Sequence, residues 1–503
     1  MDKVVTRKNI RDLTPEEKDN LIRAFAAIQQ LPPDDPNSFF VIAGYHGQPF
    51  RGAGYANPSW WGGYCNHGNS QVPGVAMPYW DETEDSSLKE GIPSIFLERT
   101  YTFSDDTSRT IPNPLFSYKF QAKITDRLNA NDKSTNYTKP VGYETVRYPF
   151  SGLVGTISDT EDTLIHNKKL LEKGEGETNR MLNENIMTWL NFSHFKNSDG
   201  KMMPAGVKDK FKDCLDAPNY TVFSNNTSAQ RWNDDRLSEP GYQSITSIES
   251  PHNSIHLAVG GFNVPGHDNY DQYAGANGDM GENDTASFDP IFFFHHCFID
   301  LMFWRWQVKH DQRDSLEIIE GYPGTNSVDS QGPTPGVAGG IWLTLDSPLE
   351  PFKDLRDPTR TITSREVVNI ANLGYTYDRA EPPLTAPPNA LPAPILTVSN
   401  INRATLGGSF VVSAWANLEN GQKVLVGTEA VLSRWHVAGC RNCQNHLEVR
   451  AHFPMEGWNK GEVEKMRFEV VLNTRMLDRG LRNADGPQQG AQNPMIELST
   501  DNL

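Results

Sequence analysis

Asp289-Pro290-Ile291-Phe292-Phe293-Phe294-His295-His296-Cys297-Phe298-Ile299-Asp300 is the stretch on which the reading of this chain turns. Asp at the N-cap and Pro at the first helical position predict a helix start, and the apolar run continues to Gln307. A helix apolar all round is a buried one. Two adjacent imidazoles in so apolar a setting are costly unless something compensates them, and a metal ion does. Upstream, His252 and His256 form an HxxxH pair, which puts two imidazoles one turn apart on one helix face. A single buried histidine is more often a core residue satisfied by hydrogen bonds. Two pairs reverse those odds. All-nitrogen ligation suits Cu, Zn, Ni or Fe, and the chain lacks the HExxH glutamate of zinc proteases.

Outward from these pairs, the 503 residues are 37% hydrophobic and 10% aromatic with 11 Trp, which predicts a packed core among ordered loops. A formal charge of −17 repels phosphates and excludes nucleic acid and anionic membranes as expected partners. No window approaches eighteen apolar residues, and MDKVVTRKNIRDL is charged where a signal peptide would be apolar. The expectation is a soluble, cytoplasmic protein. Five cysteines, an odd number, do not make a disulfide framework.

Thr14 and Glu17 have capping-box spacing around Pro15, ahead of the apolar face Leu21, Ile22, Phe25. Residues 32–80 read as structured loops, and 105–240 as polar and turn-rich with a helical stretch at Arg180–Leu190. Pro251 reads as the start of the HxxxH helix, with Glu249 just outside it. EPPLTAPPNALPAP (381–394) cannot continue helix or central strand, and β-type runs such as GSFVVSAWA, KVLVG and MRFEVVLNT follow. The expected division is a mainly α domain over 1–380, a linker over 381–394, a β-sandwich-like domain over 395–480 and a tail over 481–503.

HGQPF (46–50), GYCNHGN (63–69), MPYWDE (77–82), SPHNSIHLAVGG (250–261) and DPIFFFHHCFID (289–300) together resemble the type 3 dicopper family of tyrosinases, catechol oxidases and molluscan haemocyanins. The likeness is greatest to intracellular fungal tyrosinases made as pro-enzymes, which also carry a C-terminal β-domain with a CxxC, here Cys440 to Cys443. The resemblance implies a four-helix-bundle core holding two copper ions, with O2 as co-substrate. It assigns His252, His256 and His296 to copper B, and His46 and His67 to copper A, with Cys65 thioether-linked to His67. It makes Glu249 and Asn253 the holders of a water beside copper B, and Phe292 a gate over copper A. Cys440 and Cys443 would capture and deliver copper, since soft thiolates suit Cu(I). Asp300 would orient a neighbour, and Tyr375 and Tyr377 would stack on Arg7 or Arg11.

One departure stands out. After Asn69 the chain continues SQVPGVAMPYWDE, where the family has an FPTWHR-like segment and a helix bearing the third copper A histidine. Trp435-His436, the sole Trp-His pair, lies in the β region. Either a segment is omitted or this is a deletion form, and the intact surroundings favour the former. His166, His194, His267 and His310 are expected at the surface.

The implied activity is ortho-hydroxylation of monophenols such as tyrosine and oxidation of catechols to o-quinones, latent until the C-terminal domain is removed. A catechol oxidase without monophenol activity and a haemocyanin-type oxygen carrier are the alternatives. A single non-repeated chain with one site argues against the carrier. Self-association into a homo-oligomer is left open.

Overall fold

The computed structural model describes residues 4–47, 76–129, 132–152, 157–196, 202–267, 278–325, 341–354, 357–380, 393–406, 408–434, 447–474 and 494–500. Cys65, His67, Cys440 and Cys443, with the 381–392 part of the linker, lie outside these residues, as does the side chain of His194. Up to Lys309, the helices among the described residues are α1 (Pro15–Gln30), α2 (Phe39–Gly44), α3 (Asp85–Glu90), α4 (Ile157–Lys173), α5 (Glu175–Asn191), α6 (Val207–Asp213), α7 (Tyr220–Ser224), α8 (Asn226–Asp234), α9 (Glu249–Gly260) and α10 (Ile291–Lys309).

The central helices are α9 and α10, and a side chain meets the free N–H groups at the start of α10. Helix α10 begins one residue later than expected, with Pro290 at the cap and Asp289 just before it. The Asp289 carboxylate still accepts from the Ile291 N–H at 3.2 Å, and Arg147 grips it with Nε and Nη2. The helix runs to Lys309, two residues past the expected end. Helix α9 begins at Glu249 and not at Pro251, so Glu249 is its first residue. Thr14 and Glu17 form the expected capping box on α1.

Helix α5 packs across α9 and supplies polar side chains to its end. Asn185 Nδ2 donates to the carbonyls of Ala258 and Phe262, and Trp189 Nε1 to that of Phe262. At the same end, a Cβ on Gly260 would meet the Gly281 nitrogen at 1.8 Å, so only glycine lets the turn Asp279–Gly281 approach. Around α10 the core is aromatic: Phe294 stacks on Phe25 and meets Phe96 edge-on. The chain ends of the helical part meet as a parallel pair, Val5–Arg7 with Tyr375–Tyr377. Arg7 lies 3.6 Å over the Tyr375 ring, and Asp300 accepts from Arg7, Tyr375 and Tyr377. Asp300 therefore fastens α10 to this pair.

Two surface expectations fail. His166 is buried on α4, with Nε2 at 2.8 Å from the Pro149 carbonyl. His310 is half-buried, stacked on Trp306 and bonded to the Leu215 carbonyl. A cap on another segment's carbonyl is invisible to local polarity. His267 is exposed, as expected.

Beyond residue 393 the chain forms two three-stranded antiparallel sheets. Ile395–Asn402 lies between Glu448–Pro454 and Met495–Ser499, and Phe410–Asn417 between Lys423–Val431 and Arg467–Thr474. Leu396, Val398, Phe410, Val412 and Phe453 form a core of their own between them. Met495–Ser499 falls within the stretch read as a tail, so a strand follows the expected end of the β region. This unit is seated on the helices: Val411, Leu425 and Ala430 belong to the main core. Glu429 bonds Lys210, Ser250 and Asn226. Arg450 and His452 both reach Asp234 on α8. Among the described residues no helix is long and apolar enough to cross a membrane.

Candidate metal centre

Helix α9 carries His252 and His256 on one face, and α10 brings His295 and His296 against them. One ring nitrogen from each of the four lies within 4.8 Å of the others. Three converge more closely. The Nε2 atoms of His252, His256 and His296 are separated by 3.1, 3.2 and 3.3 Å. Three nitrogens about 2.0 Å from a common centre would be about this far apart, the bond length of imidazole to a divalent transition metal.

The outer nitrogens decide which way the lone pairs point. Asn253 Oδ1 lies 3.0 Å from His252 Nδ1, and the Met280 carbonyl 2.8 Å from His256 Nδ1. A carbonyl oxygen only accepts, so each Nδ1 carries the proton and each Nε2 turns a lone pair inward. Burial pushes His252 down to about 4, and His256, His295 and His296 well below the ordinary histidine value. Neutral rings with inward lone pairs are the form a metal requires. The site fits a metal ion.

His46 follows α2. Its ring centroid is 4.7 Å from that of Phe292 and 6.1 Å from that of His296. Burial, then the charges of Arg434 and His252, hold it down to about 3, and its buried Nδ1 has no hydrogen-bond partner. It lies beside the triangle, on the side of Phe292. Phe292 stacks on His296 at 3.9 Å and meets the His46 ring edge-on.

The whole chain and its parts match known proteins. Residues 70–309 match the family described as the common central domain of tyrosinase. The tyrosinase of Aspergillus oryzae is 45% identical over 513 positions, covering 94% of this chain and 93% of that one. The chain belongs to the tyrosinase family. A second relative, tyrosinase HcTyr2 of a Hahella species, is 44% identical over 93% of this chain and 92% of its own. A solved tyrosinase from Burkholderia thailandensis superposes with a TM-score of 0.80 at 42% identity, covering 98% of this chain and all of that one. Tyrosinases are type 3 dicopper enzymes, and the chain is a copper-dependent monophenol monooxygenase and o-diphenol oxidase acting on phenols.

In this tyrosinase fold the residues singled out by sequence have distinct positions. His252, His256 and His296 are together, with His46 nearby; Asn253 bonds His252 and the Glu249 carboxyl. Glu249 also accepts from the Asn226 N–H at 2.7 Å; burial raises its pKa, partly countered by that bond and by Arg403 of the C-terminal unit. Glu82 escaped the sequence reading. His295 is part of the cluster, and Glu82 Oε1 sits 2.5 Å from its Nδ1 with both side chains fully buried. The acid pair ending MPYWDE, set in an apolar segment, was the signal.

Proposed function

We propose that His252, His256 and His296 hold copper B, and that His46 and His67 hold copper A with Cys65 thioether-linked to His67. The observation that carries this reading is the triangle of converging Nε2 atoms. The chain has no counterpart of the family's third copper A histidine between Asn69 and Met77. When bound, copper supplies the activation of O2 for ortho-hydroxylation of a monophenol and for oxidation of the catechol to the o-quinone.

The chain's own residues do the rest. Asn253 and Glu249 hold a water that takes the phenol proton. Phe292 gates the copper A side and, with the surrounding aromatic core, keeps bulk water from the reacting ring. Cys440 and Cys443 capture Cu(I) and pass it inward. The helical residues 1–380 act as a bundle-like catalytic domain, and the two C-terminal sheets act as a sandwich-like lid joined through 381–394. The seating of Glu429 on α6, α8 and α9 supports latency, because the lid covers the helix that carries Asn253. The protein works in the cytoplasm, off the membrane, as a monomer or homo-oligomer.

Oxygen uptake by the copper-loaded chain, before and after cleavage in 381–394, tests this. Tyrosine and a catechol should both be consumed, faster after cleavage. Consumption of the catechol alone would reduce the reading to a catechol oxidase; reversible oxygen binding without turnover would replace it with a carrier.

A further inference from the structure

We propose that Glu82, acting through His295, is a positioning residue for the copper B triangle; the inference rests on the copper B reading above.

His295 stands back from the three converging nitrogens. Its ring centroid is 5.1 Å from those of His252, His256 and His296 alike, and its plane is within 22° of the His252 ring. It forms the back wall of the cluster. The backbone of His252 faces this ring, yet His295 Nε2 makes no formed hydrogen bond. The one firm polar contact of the ring is Nδ1 to Glu82 Oε1, at 2.5 Å.

Glu82 comes from a different part of the chain. It ends the MPYWDE segment, beside Trp80, whose backbone N–H donates to the Phe294 carbonyl on α10 and whose Nε1 donates to Ser87. The segment is thus tied to α10 by its backbone, and Glu82 adds a second tie one turn of side chains away. His295 and His296 are neighbours on one helix, so any rotation of α10 that swung His295 off Glu82 would carry His296 out of the triangle. The bond to Glu82 therefore sets the rotation of α10, and the stacked His295 ring limits the His252 ring.

Desolvation argues for a role of this kind. Two apolar side chains of equal volume would fill the space without removing a carboxyl group from water. What they would not supply is direction. Outer partners that aim metal-binding imidazoles typically change metal affinity by about 10–100-fold when removed.

The test compares the unmodified chain with E82L, E82Q and E82D. The readouts are copper release to a chelator, the electron paramagnetic resonance of Cu(II) at one ion per chain, and thermal unfolding of the metal-free protein. E82L should release copper about 10–100-fold faster with an altered Cu(II) spectrum. E82Q keeps a hydrogen-bonding group at the same reach and should restore both within a few-fold. E82D, which withdraws that group while keeping its carboxyl chemistry, should behave like E82L and stands in for it where E82L fails to fold. Copper held as tightly in E82L or E82D as in the unmodified chain overturns the inference, and so does loss in E82Q equal to that in E82L. An unmodified chain that takes up no copper overturns the copper B reading and this inference together.

Discussion

The Nε2 atoms of His252 and His256 stand 3.1 Å apart, and the Nδ1 of each is already engaged outside the triangle. Two lone pairs facing at that distance repel unless a cation lies between them. The metal-free site is therefore built at a cost, which binding relieves. Copper at about 1,000 times its dissociation constant should stabilise the fold by about 4 kcal/mol. Thermal unfolding with and without copper measures this, and His256→Asn should abolish most of the shift. An equal shift in that variant would remove the triangle from the account.

Asn253 has two tasks, accepting from His252 and bonding Glu249. Asn253→Leu should cut monophenol turnover at least about tenfold more than catechol turnover, since a positioned base contributes about 10²–10⁴ and a catechol needs it less. Steady-state oxygen uptake on both substrates decides. Equal losses would mean that only the tautomer of His252 is at stake.

Gly260→Ala should weaken copper binding from outside the site. Its Cβ would strike the Gly281 nitrogen, pushing away the turn whose Met280 carbonyl fixes the His256 tautomer. Copper content after dialysis should fall while far-ultraviolet circular dichroism is kept. Full copper retention would show that the turn yields without moving Met280.

Acid should loosen the C-terminal unit. Burial alone would raise the Asp234 carboxyl, but His452 and Arg450 of the C-terminal unit hold it below its ordinary value. A depressed acid stabilises the docked state above its unfolded value, about 3.9, and that support is lost as pH falls through the lower, folded value. Cleavage within 381–394 should accelerate below about pH 4 in parallel with oxygen uptake. Asp234→Asn should flatten this dependence, and an unchanged pH profile would assign the docking elsewhere.

Asp289→Asn should destabilise the helical core by about 3–5 kcal/mol, the usual cost of stripping one partner from a buried ion pair. Arg147 would remain buried with the carbonyls of Phe96 and Leu115 and one amide oxygen at 289 to take its protons, and no charge to balance its own. Urea unfolding measures the loss; a change under about 1 kcal/mol would mean that the guanidinium finds water.

Sequence by itself determined the two histidine-bearing helices and the side chains they present. An apolar run opened by Asp289-Pro290 has no solvent-facing side, and HxxxH spacing places two imidazoles on one face whatever surrounds them. It also marked the change to β structure after the prolines of 381–394, because proline excludes regular pairing there. Tertiary structure alone decided how far into the chain each element reached. Met495–Ser499 becomes a strand because Ile395–Asn402 offers it an open edge, a partner about a hundred residues away. His166 is buried and His310 half-buried because distant carbonyls cap their rings. His295 and Glu82 meet only when α10 folds against the 77–82 segment. Local spacing fixes which face a side chain takes. Its partner, its tautomer and the value of its charge are set by what packing brings to that face, and that is decided across the chain.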